Sequence, residues 1–562
     1  MGMYLRTTSR TNRDGSTVTY LQLAHNERNP DTGHSTAKII HNFGREDAVD
    51  REALVRLCES IARVCGVEVR DVLQQTDTRA AIAALPDDVT LRRTRTLGTV
   101  HVVDALWRRL GIKRVLDDLG QRKRWSVPYE RALFAMVANR LCEPESKLGV
   151  WERWLDTVHL PECRALELHH MYEALDRLHE HSAEIEEAVF FETASLLNLE
   201  VDLVFFDTTT CSFAIDEVDG DDGLRQRGHS KEGTWRPQVV IALAVTREGL
   251  PVRSWVFEGN TSDVTLIDQV RADLRGWKLG RALFVADSGF NSADNRAELA
   301  RGCGHYVLAC RMRSSAELAE VTSRAGRYKD VADNLRVKEV IVDEGTRQRR
   351  YLVCHNEQQA ARESQHREAV LAELEEILSN HPDEAGSANK KWAMELLTSR
   401  RFGRYLRKTK TGRLRIDRGA AAEAAKLDGK WVLLTNDDSL AVEDVADAYK
   451  SLLVIESCFR SLKSTQIEIR PMYHWLARRI VAHVKVCVLA LLIQRVAELA
   501  VGRSWRWISH DLDAVQATEF ETETHRFFQV NELPSEAGSV LRALDIKPPR
   551  RVLDVEKVPA EV

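Results

Sequence analysis

Hydrophobic positions change period several times along the chain, and each change predicts a different kind of element. Polar and β-prone residues alternate in YLRTTSRTNRDGSTVTYLQL, which predicts two strands joined at Asp14-Gly15, a dipeptide that favours a type I′ hairpin turn. A third such run, Ser35 to Phe43, follows Pro30 and Gly33, and a helix is expected around Arg51 to Cys65. From about Leu97 to Leu199 apolar residues recur at three- and four-residue steps in TVHVVDALWRRLGI, YERALFAMVANRLC, GVWERWLDTV and AEIEEAVFFETASLL. A helical domain results, punctuated by Gly120, Pro128, Pro144, Gly149 and Pro161, with Trp107, Trp125, Trp151 and Trp154 expected in its core.

The pattern then becomes that of buried strands. LVFFDTTTCSFAI, Leu203 to Ile215, is a continuous apolar, β-branched and aromatic run with one carboxylate, Asp207, where it turns polar. A lone charge on such a strand costs desolvation energy unless something pairs with it, and a metal ion is the usual partner where other carboxylates converge. Strands follow at Gln238 to Val245 and Pro251 to Phe257, then a helix at Val264 to Leu274 and a strand at Ala282 to Ala286 that ends at Asp287. This β-β-β-α-β order is expected of a ribonuclease H-like core, in which the first and fourth strands lie side by side and carry Asp207 and Asp287 at their ends.

Between Ala300 and Asp437 the runs YVLACRM, KEVIVDEG, RRYLVCHN and KWVLLTND predict strands, and Ser364 to Asn380 an amphipathic helix. Since 169 residues separate Asp287 from the next candidate acid, Glu456, an insertion domain is expected to interrupt the core before its last helix. That helix, YKSLLVIESCFRSLKS, sets Tyr449, Leu452, Glu456, Arg460 and Lys463 at steps of three and four, on one stripe. The expected architecture is thus a multidomain α/β chain: a small β-rich N-terminal domain (1–95), a helical domain (96–199), the first part of the ribonuclease H-like core (200–300), an insertion domain (301–437), the last part of the core (438–500) and a peripheral tail (501–562).

Composition narrows the function classes. With 562 residues, 44% of them hydrophobic and 29% charged, the chain reads as ordinary soluble multidomain material. The stretch Ile480 to Val501 is interrupted by His483, Lys485, Gln494, Arg495 and Glu498, so a buried helix is expected there rather than a membrane span. Ten cysteines without a CxxC pair, and no leader-like N-terminus, point to a reducing cytoplasm. The net charge of −5 argues against a uniformly basic coat, yet nine Lys/Arg face one acid between Arg400 and Arg418, and seven face two between Tyr449 and Lys485. Both segments suit phosphate contact. No P-loop or zinc-finger spacing occurs, so no nucleotide cofactor is expected.

Phosphodiester cleavage needs an attacking oxygen activated and a leaving oxygen neutralised together, which two divalent ions about 3.5–4 Å apart accomplish. Mg²⁺ takes oxygen ligands, and Asp207, Asp287 and Glu456 offer them. The flanking residues carry the specificity. FFDTTTCSF, GHSKEGTWRPQ, EGNTSD, FVADSGFNS and YKSLLVIESCFRSLKS running on into IEIRPMYHWLARRIVAHV resemble a DDE transposase of the IS4-type superfamily, in its IS1634-like branch.

The family signature in the last segment is Tyr, two residues, Arg, three residues, Glu, six residues, Lys; Tyr449, Glu456 and Lys463 are in register, but Leu452 stands at the Arg position. Arg460 is the candidate replacement guanidinium, with Arg470 in the same basic stretch. The resemblance implies catalytic and metal-holding roles for Asp207, Asp287 and Glu456, with Mg²⁺ (or Mn²⁺) as two ions per site. It further implies a homodimer acting on terminal inverted repeats and target DNA through a hairpin intermediate, in a prokaryotic, nucleoid-associated setting. Either Trp392 or Trp431 of the insertion is then a candidate to receive a flipped base, Trp431 also reading as core. His229 and Lys231 either touch DNA beside Asp207 or stabilise their turn. The rival readings are a ribonuclease H-like nuclease without strand transfer and a DNA-binding relic that no longer cuts.

Overall fold

In a computed structural model of the chain the described residues are 3–11, 17–28, 35–45, 48–49, 89–199, 201–220, 223–231, 233–279, 282–301, 303–312, 316–344, 347–381, 391–522 and 524–557. They divide into two units. In the first, β1 (Met3–Thr11), β2 (Thr17–Arg28) and β3 (Ser35–Arg45) form an antiparallel sheet in that order. Thr11 pairs with Thr17, as the alternating pattern requires of one hairpin. The Asp14-Gly15 turn, the Pro30 and Gly33 turn and the helix expected at Arg51 to Cys65 lie outside the described residues.

The second unit begins with β4 (Thr90–Thr96) and a helical layer: α1 (Gly98–Arg109), α2 (Ile112–Lys123), α3 (Tyr129–Cys142), α4 (Leu168–Glu180) and α5 (Ser182–Leu196). Helix α3 is apolar on most sides and buried almost throughout, so it lies inside this layer rather than on its surface. Trp107 and Trp154 are core residues, whereas Trp151 is 40% exposed.

Next come β5 (Leu203–Ser212), β6 (Gln226–His229), β7 (Trp235–Val245), β8 (Pro251–Glu258), α6 (Ile267–Gly276), β9 (Leu283–Ala286), α7 (Ala293–Ala300) and β10 (Tyr306–Ala309). Strand β7 pairs antiparallel with β5 on one side and with β6 and β8 on the other; β9 is parallel to β5, and β10 to β9. Alternate residues of β5 enter different cores: Leu203, Phe205 and Cys211 pack towards the helical layer, Val204 and Phe206 towards Trp255, Ile267 and Phe290.

The stretch expected to be a separate insertion divides in two. After α8 (Ala316–Ser323), strands β11 (Lys329–Ala332), β12 (Leu335–Glu344) and β13 (Arg347–His355) extend the same sheet. Helices α9 (Glu357–Ser379) and α10 (Lys391–Thr398), the hairpin β14 (Leu406–Lys408) to β15 (Leu414–Ile416), and α11 (Arg418–Ala425) instead gather around small cores of their own at Val370, Leu374, Tyr405 and Leu414. Strand β16 (Lys430–Thr435) then returns between β10 and β13. KWVLLT is apolar on both faces because both faces are covered, with Leu433 in one core and Val432 and Leu434 in the other.

Helices α12 (Val442–Lys450), α13 (Leu453–Arg460) and α14 (Ala477–Val501) follow. Helix α14 is long and apolar enough to cross a membrane, but 89% of its apolar window is buried in protein, against α3, α4 and β8. Its Lys485 is buried and paired, donating to Glu186 Oε2 at 2.7 Å and to the Ser254 carbonyl at 2.6 Å. The segment after Ser504, expected as a peripheral tail, is folded into helices and strands. It forms α15 (Trp505–Asp513), β17 (Gln516–Glu521), β18 (His525–Val530), α16 (Ser535–Ala543) and β19 (Val552–Lys557), and its strands complete a sheet with β4 in the order β19-β18-β17-β4.

Candidate active site

Strands β5 and β9 run parallel, and their last pair is Phe206 with Ala286; Asp207 and Asp287 are the next residue in each. There the strands part. β9 ends, and the chain enters a 3₁₀ turn, Ser288–Phe290, capped by Asp287, whose Oδ1 accepts from the Gly289 amide at 2.8 Å. β5 continues, because β7 still pairs it and Thr208 to Thr210 are β-branched; Asp207 lies opposite Leu243. Asp207 is therefore a mid-strand residue, not the strand-end residue expected, and only Asp287 occupies an end.

Burial raises the Asp207 carboxyl to about 6. Lys231 and the Thr208 amide hold it down, and the charge of Asp287 pushes it up. Lys231 Nζ stands 3.1 Å from Asp207 Oδ1 and also donates to the Thr208 carbonyl, while the Thr208 amide donates to the same carboxylate oxygen at 2.7 Å.

A further acid belongs here that sequence reasoning missed. Asp263 Oδ1 accepts from Thr208 Oγ1 at 2.7 Å. A methyl group built on Gly289 would meet Asp287 Oδ1 at 3.0 Å and Asp263 Oδ2 at 3.2 Å, so the two carboxylates flank that glycine. The stretch EGNTSD ends on this acid, but nothing in its local pattern sets Asp263 apart from the polar turn around it.

Glu456 comes from a different direction. The single helix expected from Tyr449 to Ser464 is three pieces: α12, α13 and a π-turn, Ser461–Thr465. Ser451 Oγ donates to the Asp447 carbonyl at 2.8 Å, and the amides of Leu452, Val454 and Ile455 bond three residues back instead of four, which breaks the helix at Ser451 and Leu452. α13 packs on β5 and β7 through Ile455, Cys458 and Phe459, and Glu456 is exposed in its first turn.

Tyr449 belongs to α12. Burial, then the charges of Asp287 and Glu456, push its hydroxyl up to about 12, so its ring lies within the field of both acids. Leu452, at the family's Arg position, is a buried core residue in the break.

The remaining candidates are dispersed. Arg460 is exposed at the end of α13 and makes no ion pair among the described residues, and Lys463 is half-buried in the π-turn. Arg470 donates to Ser212 Oγ at 2.7 Å, at the far end of β5. His229 is exposed at the end of β6. Trp431 packs in the main sheet opposite Cys354, while Trp392 stacks on His381 at 4.4 Å in a small core with Leu378, Leu397 and Leu414. In the basic stretch Arg401 and Arg418 are tied to Glu373 and Glu375 of α9; Arg407, Lys408, Lys410 and Arg415 are exposed.

Residues 208–491, about half of the chain, match the family model described as Transposase DDE domain. The chain belongs to the DDE transposase family. Residues 5–72 match the N-terminal domain of IS1634 family transposases, which assigns the branch. The matched span contains Asp287 and Glu456 and begins one residue after Asp207. No curated protein matches the transposase. Among solved structures, a cryo-EM structure of the piggyBac transposase synaptic complex with hairpin DNA matches over 81% of this chain and 82% of its own, at 8% identity and a TM-score of 0.33.

Transposase DDE domains use divalent metal ions. The donor chemistry here fits: the acids offer oxygen ligands only, and a carboxyl raised to about 6 by burial beside a second carboxylate favours a cation. Among the described residues, no three His, Cys, Asp or Glu side chains stand together as a ready-made metal site.

Proposed function

We propose that this transposase cuts DNA at the terminal inverted repeats of an insertion sequence and joins the freed ends to target DNA, with Asp207, Asp287 and Glu456 as its catalytic carboxylates. The observation that carries this reading is the pair Asp207 and Asp287, each one residue beyond the last β5–β9 pair, with the Glu456 helix packed on β5. A ribonuclease H-like core is supported by the strand order β8-β7-β5-β9-β10 and by its directions, three antiparallel strands followed by two parallel to the first.

The three carboxylates would hold two Mg²⁺ ions, for which Mn²⁺ can substitute; when bound, these activate the attacking oxygen and neutralise the leaving one. Water attacks the phosphorus at the repeat end, the bond to the 3′-oxygen breaks, and the freed 3′-hydroxyl attacks in turn, first the opposite strand to give a hairpin and, after reopening, the target. Lys231, His229, Arg460, Lys463 and Arg470 supply donors to phosphate oxygens, and the Tyr449 hydroxyl, held protonated, donates without adding charge. A homodimer holds the two ends together.

The test is cleavage of a labelled duplex carrying the inverted repeat that flanks the gene, in Mg²⁺ or Mn²⁺, by wild type and by Asp207→Asn, Asp287→Asn and Glu456→Gln. Wild type should nick and join, with a hairpin product, while each variant binds without cutting. Cutting without joining would leave a nuclease; binding without cutting by wild type would leave a DNA-binding relic.

A further inference from the structure

The hairpin between β6 and β7 does not extend away from the sheet. Gln238 of β7 pairs with Ser212, yet beyond it the tip folds back along β5, so that the Lys231 amide donates to Thr210 Oγ1 at 3.0 Å and its ammonium reaches Asp207. Several interactions hold the tip in shape. The Ser230 amide donates to the Thr234 carbonyl at 2.9 Å, the two hydroxyls meet at 2.8 Å, and Gly233 takes φ +80°, a backbone state that side chains disfavour.

At the base of this tip, His229 and Trp235 face each other across the two strands, ring centroids 4.7 Å apart at 60°. That contact steadies the indole without covering it, because Trp235 remains 55% exposed. The residues from Pro237 to Val245 on the same strand are all buried, and Trp235 belongs to no hydrophobic cluster among the described residues. Its ring therefore does no work in the core. The stretch that carries it is basic: from Arg225 to Arg236 the chain has Arg225, Arg227, Lys231 and Arg236 against one acid, Glu232. Arg225 is committed to Asp219, Arg227 to the Asp216 carbonyl and Lys231 to Asp207. An indole left in water, beside Arg236 in the chain and four residues from a lysine that touches the candidate catalytic acid, has the composition of a single-strand nucleic-acid platform.

We propose that Trp235, steadied by His229, is a stacking platform for an unpaired nucleobase of the DNA end processed at Asp207. This rests on the function proposed above. Stacking on an indole tolerates any base, since every base has a π-face, and suits an end whose sequence is read elsewhere.

The test uses the full chain and precleaved inverted-repeat ends with 2-aminopurine placed in turn at each unpaired terminal position. Stacking on the indole quenches the probe, and titration yields the affinity. Wild type should quench one position. Trp235→Ala should lose that quench and bind the unpaired end about tenfold more weakly, with the slope of affinity against salt unchanged, because no charge is removed. Trp235→Phe keeps a ring and should retain most of the quench, which separates loss of the platform from loss of fold.

Trp235→Ala that binds and quenches like wild type overturns the platform, as does a wild type that cuts ends but quenches at no position. A changed oligomeric state in Trp235→Ala with the quench intact also overturns it, by assigning the indole to a protein contact. A wild type that binds no inverted-repeat end overturns the platform together with the function beneath it.

Discussion

Replacing Lys231 by Met should tighten divalent-metal binding by the transposase in the absence of DNA. The ammonium stands 3.1 Å from Asp207 Oδ1, a distance at which two unit charges attract by about 5 kcal/mol at an effective dielectric of about 20. The Lys231 side chain is 41% exposed and that of Asp207 17%, so solvent screening decides the outcome and reduces the net pair to about 1 kcal/mol. A divalent ion that ligates Asp207 must displace this pair. Losing the ammonium removes that cost and should lower the dissociation constant about fivefold.

The comparison belongs at pH 8, well above the Asp207 value of about 6, so that the carboxylate is ionised in wild type. Without Lys231 the carboxyl rises further, which at lower pH would set proton competition against the gain. Mn²⁺ titration followed by electron paramagnetic resonance of the free ion reads the constant directly, with Asp207→Asn as the control that loses the site. An unchanged or weaker constant for Lys231→Met would refute the idea that the ammonium and the metal compete for one oxygen.

Three further outcomes are expected. Lys485→Met leaves the half-buried Glu186 without its cation and should cost about 3 kcal/mol in denaturant unfolding, with part recovered by adding Glu186→Gln. Burial, then Lys147 and Arg479, lower His474 to about 4, so between about 4 and 6.5 the unfolded chain binds the extra proton and stability rises with pH across that window; His474→Asn should flatten the rise by on the order of 2 kcal/mol, read as unfolding midpoints from pH 4 to 7. Replacing the exposed Arg407, Lys408, Lys410 and Arg415 by Ala together should leave the melting temperature unchanged and reduce the slope of log affinity for DNA against log salt by about 3.6, measured by fluorescence anisotropy.

The central strand was legible because its run is uniform: a sheet buried on both faces reads as a continuous apolar stretch, and the acid in it is conspicuous. Asp287 followed from the same logic. The break at Ser451 was not legible, since the spacing of Tyr449, Leu452, Glu456, Arg460 and Lys463 fits an unbroken helix, and the tightened three-back bonding of Leu452, Val454 and Ile455 leaves no mark on that spacing. Asp263 sits in a polar turn with no periodicity to mark it, and its partner Thr208 is 55 residues away. Likewise, nothing local announces that β16 returns to the sheet or that β17 meets β4, because pairing partners distant in sequence are chosen by what each face must cover. The tail strands QATEFE and HRFFQV alternate too weakly to stand out from a loop.

The alternation of β5 also sends Asp207 and its neighbour Thr208 to opposite faces of the sheet. Asp207 shares the parity of Phe205 and Cys211 and so belongs to the face covered by α13 and α14, whereas Thr208 shares that of Val204 and Phe206 and turns to the opposite face, where it meets Asp263. Asp263 therefore acts from behind the strand. It holds the hydroxyl of the residue whose amide donates to Asp207, and it lies against Gly289, whose amide donates to Asp287. One side chain thus meets both residues whose amides donate to the strand acids. Asp207 and Asp287 are thus each held by a backbone donor of their own, the Thr208 and Gly289 amides, while Glu456 is carried on a separate helix, α13, that packs on β5.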